Sequence, residues 1–248
     1  MKATFMFMLL FAASSLFAQD STLVQVSTVK PNARQQMTFE KMVKIHVEKF
    51  HPKKYPLYTY EVVSGPRMGS YFLVNPMVSW AFLDNPRPDH IAHEQDILNT
   101  MTPYIVDDEA RDYFRFVDSL SHSTRVNATS LLFNYYYVKP GKRDEFLAEV
   151  RRGVLINNKN NSTVSNYRVY VKQLSNFAPV IISINSLKDG YSQLEPEYMS
   201  ANNKQFKDTY IQMYGQDQWD KRMTLLPTLC DKVETELVKF RPDLSTKM

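Results

Sequence analysis

Two periodicities divide most of this chain between them. Val24-Gln25-Val26-Ser27-Thr28-Val29 and Tyr58-Thr59-Tyr60-Glu61-Val62 alternate in polarity, the period of a half-buried strand. Pro179 to Asn185 is more continuously apolar and reads as a deeper strand. Elsewhere the spacing is helical. Phe39, Met42, Val43, His46, Val47 and Phe50 share one face of a predicted first helix, and Phe146, Leu147, Val150 and Val154 share a face of a later one. Asp107-Asp108-Glu109 reads as the N-cap and acidic first turn of a helix through Leu120, because carboxylates there satisfy free amides and oppose the helix dipole. Closing strands are predicted near Arg125–Ser130 and Val233–Phe240, the latter ended by Arg241-Pro242-Asp243.

The pattern occurs twice. Val29-Lys30-Pro31-Asn32 returns as Val138-Lys139-Pro140-Gly141, 109 positions later. The same offset pairs Tyr58 with Tyr167, Tyr71-Phe72-Leu73-Val74 with Val180-Ile181-Ile182-Ser183, and Phe116-Val117 and Leu120 with Leu225-Leu226 and Leu229. The first helical faces match at 107 instead, a local slip in register. Each copy reads as strand, helix, strand, strand, one or two helices and strand, the split βαβ plan of a ferredoxin-like unit. The predicted boundaries are 1–18, 19–130 and 131–248. On this topology and the paired Val-Lys-Pro turns, the chain resembles the dimeric α+β barrel superfamily, with both halves in one polypeptide. The resemblance implies an α+β fold in which two four-stranded sheets pair into a barrel. It implies no single activity, since the superfamily holds monooxygenases, heme enzymes and proteins without known activity.

The N-terminus predicts export. Lys2 precedes an apolar run from Phe5 to Ala13, and Ser14-Ser15-Leu16-Phe17-Ala18 brings a small residue to a cleavage point before Gln19. The run is too short to span a bilayer, and no stable membrane insertion is expected. Gln19 stands where a lipoprotein would need a cysteine. About 230 residues then remain, enough to bury a substantial core. The hydrophobic fraction of 44% fits a globular chain. Cys230 is the only cysteine, so no internal disulfide can replace that core. A formal charge of +4 without a basic block points to no nucleic-acid partner. The oligomeric state is left open.

Applying the 109 offset to the strand faces predicts where a ligand would sit. Val24, Val26 and Thr28, aligned with Phe133, Tyr135 and Tyr137, are assigned to the helices; Gln25 and Ser27, aligned with Asn134 and Tyr136, are assigned to the space between the sheets. Glu61 aligned with Tyr170, and Thr59 and Val63 aligned with Arg168 and Lys172, join them. Such a polar set must pair internally or line a hydrated cavity. The reading is a site for a small amphipathic or anionic ligand built from Glu61, Trp80, Asn134, Tyr136, Arg168, Tyr170 and Lys172. Arg168 and Lys172 would contact an anion, Tyr136 and Tyr170 would form walls, and Trp80 would stand at the rim.

Other chemistry is weakly signalled. His90, His93 and Glu94 follow Asp89 at helical spacing but lack the order of a zinc-protease motif, so they read as a solvated face and no metal is expected. His46 reads as a satisfied, partly buried histidine; His51 and His122 suggest nothing specific. Resemblance to two heme-binding branches with duplicated units would imply a proximal histidine in the second unit. No histidine follows His122, and Ser186-Leu187-Lys188-Asp189-Gly190 has Ser186 where one peroxidase motif has glycine. No heme or other cofactor is expected. Cys230 reads as a small core residue, no Gly-x-Ser-x-Gly elbow is present, and sequons begin at Asn127, Asn160 and Asn161. The functional expectation is an exported protein that binds or handles a small molecule, the alternatives being a cofactor-free oxygenase implied by the resemblance and a structural or interaction protein.

Overall fold

Strands β1 (Leu23–Pro31), β2 (Tyr58–Ser64), β3 (Tyr71–Val78) and β4 (Ile105–Phe116) come from the first half of the chain, and β5 (Ser130–Val138), β6 (Asn166–Lys172), β7 (Val180–Leu187) and β8 (Cys230–Phe240) from the second. In the computed structural model, which describes residues 23–122, 128–160, 166–175 and 178–247, they close into one antiparallel barrel in the order β1-β3-β2-β8-β5-β7-β6-β4. Each half supplies four neighbouring strands. Two seams join the halves: β2 to β8, where Val62 faces Val238, and β4 to β6, where Phe116 faces Tyr170. Both seams are short: β4 meets β6 only over Phe114–Phe116, and β8 meets β2 only over Leu237–Phe240. The predicted export signal lies outside the described residues.

Helices cover the outside. Helix α1 (Gln36–Phe50) buries Phe39, Val43, His46, Val47 and Phe50, the stripe its periodicity predicted. Phe39, Val43 and Val47 pack with Tyr71 and Leu73 of the sheet. Short helices α2 (Trp80–Asp84) and α3 (His90–Asp96) follow β3, and a π-helical turn, Ile97–Met101, presses Ile97 and Met101 into the same cluster. In the second half α4 (Arg143–Lys159), α5 (Pro196–Tyr214) and α6 (Gln216–Leu229) cover the outer face, with Phe146, Val154 and Leu229 packed on Val138, Val169 and Ile181. A third cluster fills the barrel itself: Val62, Phe72 and Phe114 from one half meet Leu131, Phe133, Tyr135, Ile182 and Val238 from the other. Among the described residues no helix is long and apolar enough to cross a membrane.

Three expectations are corrected. Asp107-Asp108-Glu109 does not start a helix: it lies in the twelve-residue strand β4, paired with β1 from Leu23 to Pro31. Alternation in Arg111-Asp112-Tyr113-Phe114-Arg115-Phe116 and an available partner strand outweigh the local capping signal. The first half therefore closes at β4; Arg125–Asn127 lie outside the described residues, and Ser130 opens β5. Leu120 is buried in a short 3-10 turn. The third correction concerns faces. Val26, Phe133, Tyr135 and Tyr137, assigned to the helices, point into the barrel. Along β2 and β6 the uniform offset pairs opposite faces: Tyr60 and Tyr170, 110 positions apart, both join the interior cluster, whereas Tyr58 and Tyr167 do not share a side. A one-residue slip turns a whole strand over.

Candidate functional site

The space between the sheets is a packed core. Phe72 stacks on Phe133 with centroids 5.8 Å apart. Arg67, from the β2–β3 turn, lies 4.1 Å from the Tyr135 ring and grips Glu236 through two side-chain bonds of 2.9 Å. Glu236 is buried. Desolvation pushes Tyr60 up to about 12, and burial with the Glu234 hydrogen bond does the same for Tyr137, so these phenols stay neutral near pH 7. Arg168, Tyr170 and Lys172 do face this side, cross-strand from Ile184, Ile182 and Phe114. They form a rim. Arg168 is exposed, Tyr170 packs on Phe116 at 5.4 Å, and Lys172 pairs with Asp112 at 2.8 Å.

The other predicted site residues lie outside the barrel. Glu61 is opposite Tyr71 on the face beneath α1 and accepts a 3.0 Å hydrogen bond from Arg241. Trp80 tilts against Tyr113 at 5.2 Å and does not line the cleft that Asn134 lines. Gln25 is buried on the outer face, opposite Tyr113. The sequence grouping of seven residues is therefore split four ways.

Asn134 and Tyr136 remain together, lining a cleft of ≈ 290 Å³ between the second-half sheet and α4 and α6. On the sheet side Ser183 and Asn185 stand beside Tyr167, Val169 and Ile181; on the helix side Phe146, Val150, Phe206 and Leu226 stand beside Glu149, Asn157 and Arg222. Asn134 donates to Ser183 at 3.4 Å and accepts from Thr235 at 2.9 Å. Burial raises the Tyr136 phenol and Ser183 hydrogen-bonds it. Arg222 also lines the cleft, but its charge is answered by Glu149 at 2.7 Å. Gly153 leaves room here: a methyl in its place would reach Phe206 only at 3.9 Å. Among the described residues no histidine, cysteine or methionine lines the cleft.

A second constellation escaped sequence reasoning. His46 of α1, His51 just past its end and His93 of α3 bring their Nε2 atoms within 3.1 to 3.3 Å of one another. His46 and His51 are buried and His93 is half-buried. The Nδ1 of His46 meets Asp96 at 2.8 Å, and that of His51 meets the Tyr55 carbonyl at 2.9 Å. Lys49 pairs with the other Asp96 oxygen, while Arg87 donates to the Phe50 carbonyl at 2.6 Å and stacks on Tyr55. Burial, reinforced by the neighbouring imidazoles, drives His51 down to about 3 and His93 to about 4. Burial also lowers His46, against the pull of Asp96. All three rings are neutral near pH 7, the form that ligates metals. Helical spacing hid the group because α1 stops at Phe50: His51 then turns back towards His46 instead of lying across the helix from it. His90, weighed with His93 from the sequence, instead faces the Arg87 carbonyl.

No protein-family profile and no curated protein matches the sequence. Solved structures do match in shape. An anthrone oxidase-like protein superposes with a TM-score of 0.54 at 10% identity, over 90% of this chain and 92% of that one. A protein of Lactobacillus acidophilus NCFM, provisionally assigned as a monooxygenase, gives 0.52 at 8% identity over 91% and 96%. Chlorite dismutase from Candidatus Nitrospira defluvii gives 0.52 at 8% over 91% and 93%. These are dimeric α+β barrel proteins, and this chain shares their α+β barrel fold.

Proposed function

We propose that this is an exported protein of two tandem ferredoxin-like units that binds a small amphipathic molecule in the cleft bounded by Asn134, Tyr136 and α4. The observation that carries the reading is the cleft itself: a mostly apolar lining that includes Phe146, Val150, Phe206 and Leu226 holds a few hydrogen-bonding groups, Asn134, Tyr136 and Ser183 among them, the composition expected of a small-molecule site. Because Glu149 holds Arg222, the ligand would be neutral rather than anionic. It would present its polar end to Asn134, Tyr136 and Ser183 and its apolar body to Phe146 and Phe206. Strand and helix order in each half supports the tandem units, and the apolar run from Phe5 to Ala13 with a small residue at Ala18 supports export.

Protein recovered from its native compartment should begin at Gln19 and carry an extractable small molecule detectable by mass spectrometry. Gly153→Leu, which fills the cleft from α4, should abolish that carriage while the chain stays folded by circular dichroism. Ligand retained at full occupancy in the filled variant would place binding elsewhere.

The monooxygenase and anthrone oxidase-like names among the shape neighbours fit an oxygenase at the level of fold, and the second reading we propose is a cofactor-free oxygenase acting on a polyphenolic or quinone-like compound. Substrate-dependent oxygen uptake lost in both Gly153→Leu and Tyr136→Phe would support it over simple binding.

A further inference from the structure

We propose that His46, His51 and His93 form a binding site for a divalent first-row transition metal, zinc foremost, on the outside of the first half. The site is independent of the cleft. The three Nε2 atoms stand 3.1, 3.2 and 3.3 Å apart. Three imidazoles holding one zinc tetrahedrally at about 2.0–2.1 Å would space their nitrogens about 3.3–3.4 Å apart. The rings need to part by at most about 0.3 Å to admit the ion.

Proton bookkeeping makes the same point. The Tyr55 carbonyl can only accept, so His51 donates to it through Nδ1 and leaves its Nε2 as a bare lone pair. Asp96, held by Lys49, likewise takes the Nδ1 proton of His46 and leaves that Nε2 bare. His93 has one Nε2 proton at most, which can serve its contacts with His46 and His51 but not the contact between those two. A hydrogen-bonded histidine cluster would supply a donor for each contact, as buried polar groups do. Here at least two lone pairs converge on a point that no protein proton fills, and a cation satisfies them all at once.

The outer partners also fit. A carboxylate on one ligating imidazole and a backbone carbonyl on another fix ring orientation and raise basicity, as in histidine-metal sites generally. Phe50 packs at 5.2 Å from His46 and edge-on to His93 at 5.4 Å, and Arg87 ties the Phe50 carbonyl to Tyr55. The donors are three nitrogens without an oxygen, which selects zinc and its neighbours over calcium or magnesium. Three protein ligands leave the fourth tetrahedral position to an exogenous molecule.

The test uses the full chain, stripped with chelator, dialysed, and titrated calorimetrically with zinc chloride and in parallel with cobalt(II) chloride, whose visible absorption reports tetrahedral coordination. One zinc per chain and an intense cobalt band are expected. His93→Ala, at the least buried ligand, should abolish the band and weaken zinc by on the order of 100-fold, and Asp96→Asn should weaken it about 10–100-fold. His90→Ala, on the same helix but turned to Arg87, should bind like the parent chain. Circular dichroism on each variant separates lost binding from lost folding; should His93→Ala unfold, Asp96→Asn decides. The site is overturned if the parent chain shows no saturable one-to-one binding, if His93→Ala or a folded Asp96→Asn binds undiminished, or if His90→Ala loses as much affinity as the ligand variants.

Discussion

Glu236 places a buried carboxylate against the aromatic and aliphatic cluster inside the barrel, and Arg67 is its counter-charge. The two are not equivalent. The Glu236 side chain is 0% exposed, whereas that of Arg67 is 23% exposed and enters from a turn. Removing the arginine strands a buried anion, while removing the glutamate leaves a cation that can swing towards water. Breaking a buried pair from the side that strands the charge costs about 3–5 kcal/mol. Arg67→Met should therefore lower the urea midpoint far more than Glu236→Gln; equal losses would mean that the charge is not what the pair protects. The turn geometry serves this contact. Gly65 sits at φ +110, and a β-carbon there would lie 2.7 Å from the Thr235 carbonyl. Glycine lets the β2–β3 turn close over β8 and bring Arg67 down to Glu236.

At the scale of elements, the segment after β8 clasps the first half. Arg241 reaches Glu40 of α1 at 2.8 Å, Glu61 of β2 at 3.0 Å and Asp243 at 2.8 Å. Ser245 and Thr246 then accept from the Thr59 and Leu57 amides. Hydrogen bonds from Arg241 hold the Glu40 and Asp243 carboxyls below their ordinary values of 4.5 and 3.8. Both groups stay ionised in the folded chain at a pH where the unfolded chain has begun to take up protons. Their stabilisation is complete above those ordinary values and is lost as pH falls through the lower folded ones. Arg241→Met should cost stability at neutral pH and flatten the acid limb of the stability profile below about pH 4.5. Thermal unfolding across pH checks this; a parallel acid limb in both proteins would contradict it. Helices α1 and α4 were legible because a buried face leaves its period in the sequence, β1 because its polarity alternates, and β7 because its apolar run is nearly continuous. Strand β4 was not, because its charged positions look like a helix cap until β1 is there to pair with it. Asn134 and Tyr136 were found as a pair but placed on the wrong side, since alternation gives two faces without saying which is inside. The histidine cluster left no periodic trace, for it needs the end of α1 and a helix some forty residues later to meet.

For the whole molecule, closure makes the halves depend on one another. The interior cluster draws Val62, Phe72 and Phe114 from one half and Leu131, Phe133, Tyr135, Ile182 and Val238 from the other, and both seams pair a strand of one with a strand of the other. Split at the boundary between 130 and 131, each half would keep its helices on one sheet face and expose the other, an apolar patch with two unpaired edges. Each half also loses polar partners: Glu236 loses Arg67, and Glu40 loses Arg241. Residues 19–130 and 131–248 expressed separately should each fail to give a stable monomer. Co-expressed, they should purify as a one-to-one complex, because the contacts that close the barrel are side-chain and strand contacts that do not need the connecting peptide. Size-exclusion chromatography with light scattering reads the stoichiometry directly. A half that is monomeric, folded and cooperative in its unfolding would show that the outer helix-on-sheet cluster suffices alone and that the aromatic interior is dispensable for folding.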